Sequence, residues 1–436
     1  MKAICINLQA HQPFRFRKYR FFDIGNDHYY YDDFANETTM QKAAAATYLP
    51  TNKILLELLK RDDLDFKVNL TLSGLAIEQF EMYAPEVLDS FKEMAATGKV
   101  EFMATPYSYS ISSIKNIELF KREVAKQCDL INMHFGQRPK VLSNTELIFS
   151  DDIALAATEM GFEGVLTEGA KHVLGWKSPN YLYNSAESPN LKLLTRHFQL
   201  CDDLSFRFSN QQWSEYPLTA EKYVSWMCGN PKDEVINLFL GYEVFGGFHK
   251  EETGIFDFLK ALPEMVKLHS DFQFATVSEA MSGLTSKASL SVPNPISWSN
   301  EERDLSIWLG NSLQNEASDK LLKLEQRMTR VKDYGLNRDW SSLLACNHLY
   351  LMGKMFYVKL NPHLPYHGFD SPYEAFINYM NILSDFETRL NIIAPENKKD
   401  EEIDLLNKIL GDKEHEIEKC KKEISRLKKK IATSKK

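Results

Sequence analysis

The sequence predicts an α/β fold in which parallel strands form a barrel wrapped by helices, and three observations carry that prediction. Short apolar runs alternate with amphipathic helical patterns through residues 1–292, the rhythm of strands joined by crossover helices. The runs end in polar residues, which in a barrel converge on one face. At 436 residues the chain exceeds one ordinary core, so further parts are expected after the barrel.

The first run, Ala3 to Leu8, ends on Gln9, with His11-Gln12-Pro13 at its tip. The loop that follows is aromatic and basic from Phe14 to Phe22 and polar over Asp27 to Asp33. Residues 50–61 carry a helical pattern with Thr51 as an N-cap. Strands are expected at Phe66 to Leu72, Val100 to Ala104, Val141 to Leu142, Gly164 to Thr167, Leu191 to Arg196, Val235 to Leu240 and Phe272 to Thr276. Helices are expected between them at 75–97, 114–134, 150–160 and after Gly254.

Pro293 and Pro295 mark a boundary. Helical periodicity then dominates in runs at 316–331, 339–357 and 372–390, which predicts a helical domain over 293–395. The tail 396–436 turns to Lys, Glu and Ile. Ile403, Leu406, Leu410, Ile417, Cys420, Ile424, Leu427 and Ile431 fall at heptad a and d positions, with Lys413 at the intervening d. About four heptads with Ile at a suit a parallel homodimer through 403–431; a helix folded back on the body is the alternative.

Composition narrows the function. A net charge of -8 lacks the basic footprint of nucleic-acid binding. Six scattered cysteines without a C-x-x-C pair suit neither a disulfide framework nor structural zinc. No apolar stretch approaches the ~20 residues of a membrane helix, and the N-terminus reads as a strand rather than a signal peptide. The expected location is the cytoplasm.

Among the strand tips, Glu146 stands out. A carboxylate at the end of a buried strand costs desolvation unless it has partners or a task. Tyr107 and Tyr109 stand at the tip of the third strand, and Asp203 with Arg207 forms either an ion pair or a substrate clamp. Trp176, Trp213 and Trp226 are sugar-stacking candidates, although such residues also build cores. The strand Val235 to Leu240 ends on Gly241, where an acid or base would be expected and no side chain exists.

The ordered set His11-Gln12-Pro13, Gly98-Lys99-Val100-Glu101-Phe102, Asn144-Thr145-Glu146-Leu147 and Leu240-Gly241-Tyr242-Glu243-Val244-Phe245-Gly246 resembles glycoside hydrolase family 57, in its α-amylase branch. The similarity continues through Thr167 to Ala170, Trp176 to Tyr181 and Trp298 to Asn311, and spans residues 1 to about 390. It implies an incomplete (β/α)7 barrel, a following helical domain, and a retaining reaction on an α-glucan or maltooligosaccharide without metal or organic cofactor. It places Glu146 at the nucleophile position and Gly241 at that of the acid/base aspartate. Two further departures are Gly247-Phe248 for the usual Glu-His and Tyr109 for a usual histidine.

Cleavage of a sugar ether near neutral pH needs a delivered proton, worth ~10²–10⁴-fold. Along a continuing strand, Glu243 would face the same way as Gly241 but ~6–7 Å further on. The expectation is therefore a glucan-recognising protein with weak or absent hydrolysis, His11, Gln12, Tyr107, Tyr109 and the candidates above contacting sugar. The alternatives are an amylase or glucanotransferase using Glu243 or another carboxylate as acid, and a metal-dependent hydrolase with His11 and Asp202 or Asp203 as ligands.

Overall fold

The computed structural model describes residues 2–353 and 368–396, with single helical positions between 406 and 424. Seven parallel strands close a ring. They are β1 (Ala3–Ala10), β2 (Val68–Leu72), β3 (Val100–Met103), β4 (Val141–Leu142), β5 (Gly164–Glu168), β7 (Lys192–Arg196) and β8 (Val235–Gly241). Strand β1 pairs with both β2 and β8, so the chain's first strand is central to its sheet. The sheet β8-β1-β2-β3 joins β4-β5-β7 through a parallel bridge from Ala104 to Leu142. On the other side the seam is thin: His197 N–H donates to the Asn237 carbonyl at 2.9 Å. A barrel with no strand ladder across this seam matches the incomplete barrel that the family resemblance implies.

Alternation sorts each strand into an outer and an inner face. Ile4, Ile6 and Leu8 join the large core shared with the surrounding helices. Ala3 and Cys5 join a smaller inner cluster with Met103, Val141, Leu166, Leu194 and Phe239. Continuing each inner face to its carboxyl end brings up Gln9, Glu168, Arg196 and Gly241, and Gln9 lies in register with Gly241.

Three elements were not expected. Strand β6 (Leu182–Ser185) runs antiparallel to β7, and β10 (Ala288–Leu290) extends β6 outside the ring. A helix Asp33–Ala43 continues through a wide turn, Ala44–Tyr48, into the helix Leu49–Leu59. Its N-cap is Asp32, whose carboxylate accepts from Ala35 N–H. Thr51 is therefore buried inside a continuing helix and caps nothing. The expected strand near 272–276 shortens to β9 (Gln273–Phe274), which pairs with the start of β1.

Beyond residue 300 the chain is helical where described. The 316–331 run becomes Ser312–Leu322 and Glu325–Met328. The 339–357 run becomes Tyr334–Leu343 and Cys346–Leu351, its remainder lying outside the described residues. The longest helix is Pro372–Ile393. Buried Trp340, Leu383 and Phe386 from this region share a core with Phe149 and Ile153 of the barrel. Most of 403–431 also lies outside the described residues; Leu406, Leu410, Ile417 and Ile424 are helical and exposed. Among the described residues no helix is long and apolar enough to cross a membrane.

Candidate active site

The site lies where β1, β3, β4, β7 and β8 end. At the β4 tip, Asn144 caps the turn by accepting from Thr145 N–H, and its amide donates to the Ile148 carbonyl at 2.8 Å. Thr145 Oγ1 donates to the Ser110 carbonyl at 2.7 Å. These bonds hold Glu146 in a short turn with φ 48° and ψ 34°, left-handed backbone that side-chain-bearing residues seldom adopt. Such backbone persists where surrounding contacts over-determine it.

Those contacts reach every polar group of Glu146. Its N–H donates to the Tyr109 hydroxyl at 3.0 Å, and that hydroxyl donates to Oε1 at 2.9 Å. Ser299 Oγ donates to Oε2 at 2.9 Å, and Ser297 Oγ to the Glu146 carbonyl at 2.8 Å. Burial raises the Glu146 carboxyl above its ordinary range, while Tyr109, Ser299 and the Arg196 charge work against that rise.

Tyr109 is held in turn. The buried Glu123 carboxylate accepts from Ser108 N–H, Ser110 and Ser112, which fixes the serine-rich loop around Tyr109. Gln9 donates its amide to the Tyr109 hydroxyl, and the His11 ring stacks on Tyr109 with centroids 4.3 Å apart. His11 Nε2–H donates to Asn347 Oδ1 at 2.7 Å, and Nδ1 meets Ser73 Oγ at 2.8 Å. Burial pushes the imidazole down to about 3, so it is neutral.

At the β8 tip the structure corrects an expectation. The strand stops at Gly241, and Tyr242–Val244 form a tight turn rather than further strand. Glu243 is thereby brought back instead of carried onward. A Cβ placed on Gly241 would lie 2.7 Å from Glu243 Oε2. That is close to the reach of an aspartate oxygen from its own Cβ. One oxygen of the Glu243 carboxyl thus lies beside the place where a side chain at 241 would begin, with Cδ 3.9 Å from that Cβ. Burial first, with the Glu146 charge adding to it, raises Glu243 to about 7.

Behind the pair lies a buried ionic network. Arg196, 1 % exposed, donates to Asp202 at 2.6 Å and to Glu168 at 3.4 Å, and its guanidinium lies over Trp298. Arg303 meets Asp202 at 3.5 Å and donates to the Trp298 carbonyl at 2.6 Å. The Glu168 carboxyl is raised by burial and lowered by both arginines.

The other sequence candidates go elsewhere. Tyr107 donates to Glu78, lies under Lys126 and packs on Gly74. Gln12 bonds Tyr48 and Arg15, each at 3.4 Å. Asp203 pairs with Arg207 one helical turn away. Trp213 and Trp226 meet edge to face at 6.0 Å against the core, whereas Trp176 is 93 % exposed. The proposed metal ligands do not converge: His11 is engaged by Ser73 and Asn347, Asp202 by two arginines and Asp203 by Arg207. Among the described residues no three His, Cys, Asp or Glu side chains group so as to hold a metal ion.

A family model described as "Glycosyl hydrolase family 57" matches residues 5–293. The chain belongs to that family. A curated protein of Methanocaldococcus jannaschii, described as "Putative alpha-amylase", is 37% identical over 397 residues, 88% of this chain and 84% of its own. Among solved structures, a GH57 branching enzyme of Thermococcus kodakaraensis aligns at TM-score 0.62 and 12% identity, covering 91% of this chain and 92% of its own. The α-amylase AmyC of Thermotoga maritima aligns at 0.57 and 12%, covering 91% and 95%. At such identities the structural likeness speaks for the fold alone.

Sequence reasoning missed Ser297, Ser299, Arg196 and Asn347 as members of the site. Alternation along β7 would have pointed Arg196 inward with Leu194. The serines and Asn347 carry no local signal, because loop serines and helix asparagines are common and only the tertiary fold brings them to Glu146 and His11.

Proposed function

We propose that this chain acts on α-glucans by the retaining two-carboxyl route, with Glu146 as nucleophile and Glu243 as acid and then base. One observation carries this reading: a Glu243 oxygen comes within 2.7 Å of the Cβ that Gly241 lacks, and the carboxyl is raised to about 7 with the Glu146 charge adding to the rise. The surroundings separate two chemically similar groups. Glu146 receives two hydroxyl donors and faces Arg196, which favour its charged, attacking form. Glu243 is half-buried and repelled by Glu146, which keeps a proton on it near neutrality.

In the first step Glu146 attacks the anomeric carbon while Glu243 protonates the departing glycosidic oxygen. The ionised Glu243 then takes a proton from the incoming hydroxyl, and the bond to Glu146 breaks. Water as acceptor gives hydrolysis; a glucan hydroxyl gives transfer. This departs from the expected loss of hydrolysis, because a turn and a longer side chain return a carboxyl to the site. Trp176 is the retained candidate for sugar stacking at the rim.

A second reading, glucan binding without cleavage, is favoured by Gly241 itself. A glutamate arriving from the next turn approaches at a different angle from an aspartate on the strand, and ~1 Å of misplacement is costly. Incubation with maltoheptaose separates the two. Chain-length redistribution or glucose release that vanishes in Glu146→Gln supports catalysis. Tight binding with an unchanged oligosaccharide supports the second reading.

The division into barrel (1–292), helical domain (293–395) and heptad tail (396–436) is retained as a working scheme, with Ser297 and Ser299 reaching back from beyond the first boundary. We read the protein as cytoplasmic, which its unpaired cysteines suit. Self-pairing through 403–431 is proposed as well. In a parallel, in-register dimer the exposed Cys420 would face its copy, so a Cys420-dependent disulfide dimer under mild oxidation is expected, and a monomer in sedimentation would refute it.

A further inference from the structure

We propose that Tyr109 and Ser299 form a hydroxyl clamp that positions Glu146 and holds it in its ionised, attacking form. The inference rests on the nucleophile assignment above and adds two positioning residues to it. The clamp joins distant parts of the chain: Tyr109 from the loop after β3, and Ser299 from the segment that follows β10. Each takes one carboxylate oxygen, both at 2.9 Å.

Hydrogen-bond accounting fixes which way the protons point. A phenolic hydroxyl has one donor and can accept two bonds. Tyr109 accepts from Gln9 and from Glu146 N–H, so its single proton is left for Glu146 Oε1. Burial and the Glu146 charge push the phenol far above its ordinary range, so the proton stays on the oxygen. Ser297 spends its proton on the Glu146 carbonyl. The Ser299 hydroxyl proton then has two acceptors in reach, Ser297 Oγ at 3.1 Å and Oε2 at 2.9 Å, and the nearer, charged carboxylate is the stronger of them.

The backbone supports the same assignment. Tyr109, Glu146 and Leu147 all have left-handed φ, at 56°, 48° and 52°. Two of the three are neighbours in the turn after β4, and the Tyr109 hydroxyl ties the third to Glu146. Among the described residues, the other ionisable groups whose charge couples to Glu146 are Arg196 from β7, Glu243 from the turn after β8, and Cys346 and Tyr350 from the helix Cys346–Leu351. Only Arg196 among these favours the charged nucleophile, so the hydroxyls supply the rest of its stabilisation.

The test uses Tyr109→Phe, Ser299→Ala and their combination in the full-length protein, with two readouts. Infrared difference titration against Glu146→Gln follows the Glu146 carboxylate whether or not the protein is active. Removing one donor from a charged acceptor should raise its midpoint by about one pH unit, and removing both by more. The acidic limb of kcat/KM on maltoheptaose should move upward by the same amount, with kcat reduced, KM little changed and the basic limb in place. A midpoint unchanged in both single variants overturns the clamp. An inactive wild type would count against the proposed reaction while leaving the infrared result to decide the clamp. Should Tyr109→Phe fail to fold, Ser299→Ala carries the test alone, since Ser299 is only half-buried.

Discussion

The tips of β4 and β8 deliver the two carboxyls by opposite means. At β4 the carboxylate belongs to the turn residue itself, and its N–H, carbonyl and both side-chain oxygens are bonded. At β8 the strand ends in a residue without a side chain, and a glutamate two positions later turns back to bring one carboxyl oxygen beside it. On the proposed assignment, the nucleophile has a fixed position and a stabilised charge. The proton donor has a partly buried place near that charge, which more than one chain position can supply.

Breaking each half should give effects of different size. The largest is Glu146→Gln, which removes the attacking group and should reduce turnover of maltoheptaose to background, measured as product released per enzyme. Next is Glu243→Gln, with an expected loss of ~10²–10⁴-fold. Adding Gly241→Asp to Glu243→Ala should recover part of the loss that Glu243→Ala causes. Truncation at 243 removes the side-chain oxygen that the new Cβ would meet, which leaves room for a carboxyl at 241. Unchanged activity in Glu243→Gln would remove Glu243 from the mechanism.

The stability prediction is smaller and follows from proton linkage. Glu243 is raised from 4.5 to about 7 in the folded chain, so between those values the folded state holds a proton that the unfolded state has lost. Its contribution is fully present below about 4.5 and is lost as pH rises through about 7. Melting temperature should therefore fall more steeply across that window in the wild type than in Glu243→Gln. Equal slopes in the two proteins would contradict the assigned shift. The smallest effect is expected at the rim, where Trp176→Ala should raise KM by a few-fold with kcat nearly unchanged, as loss of one stacking surface implies.

The barrel was legible because its strands are buried on both faces and mostly apolar, and such runs stand out between amphipathic helices. Strands β6 and β10 were not, since Leu-Tyr-Asn-Ser and Ala-Ser-Leu are too short to show a period. The helix Asp33–Ala43 was hidden because its apolar residues trace no clear stripe. Within the site, Glu146 and Gly241 were visible through strand-tip position and family resemblance. The placement of Glu243 was not. A continuing strand sends it away and a tight turn brings it back, and residues 241–247 are compatible with either until Phe248 N–H closes the turn on the Glu243 carbonyl.

The claim that Glu243 supplies the proton is tested most directly by changing how much the leaving group needs one. Fluoride departs without protonation, whereas a sugar alkoxide does not. In a single turnover, Glu243→Gln should release fluoride from an α-maltosyl fluoride at close to the wild-type rate, with later turnovers slow because the base is missing, while losing ~10²–10⁴-fold on maltoheptaose; Glu146→Gln should fail on both. Equal losses of the first-turnover rate on the two substrates in Glu243→Gln would contradict the assignment.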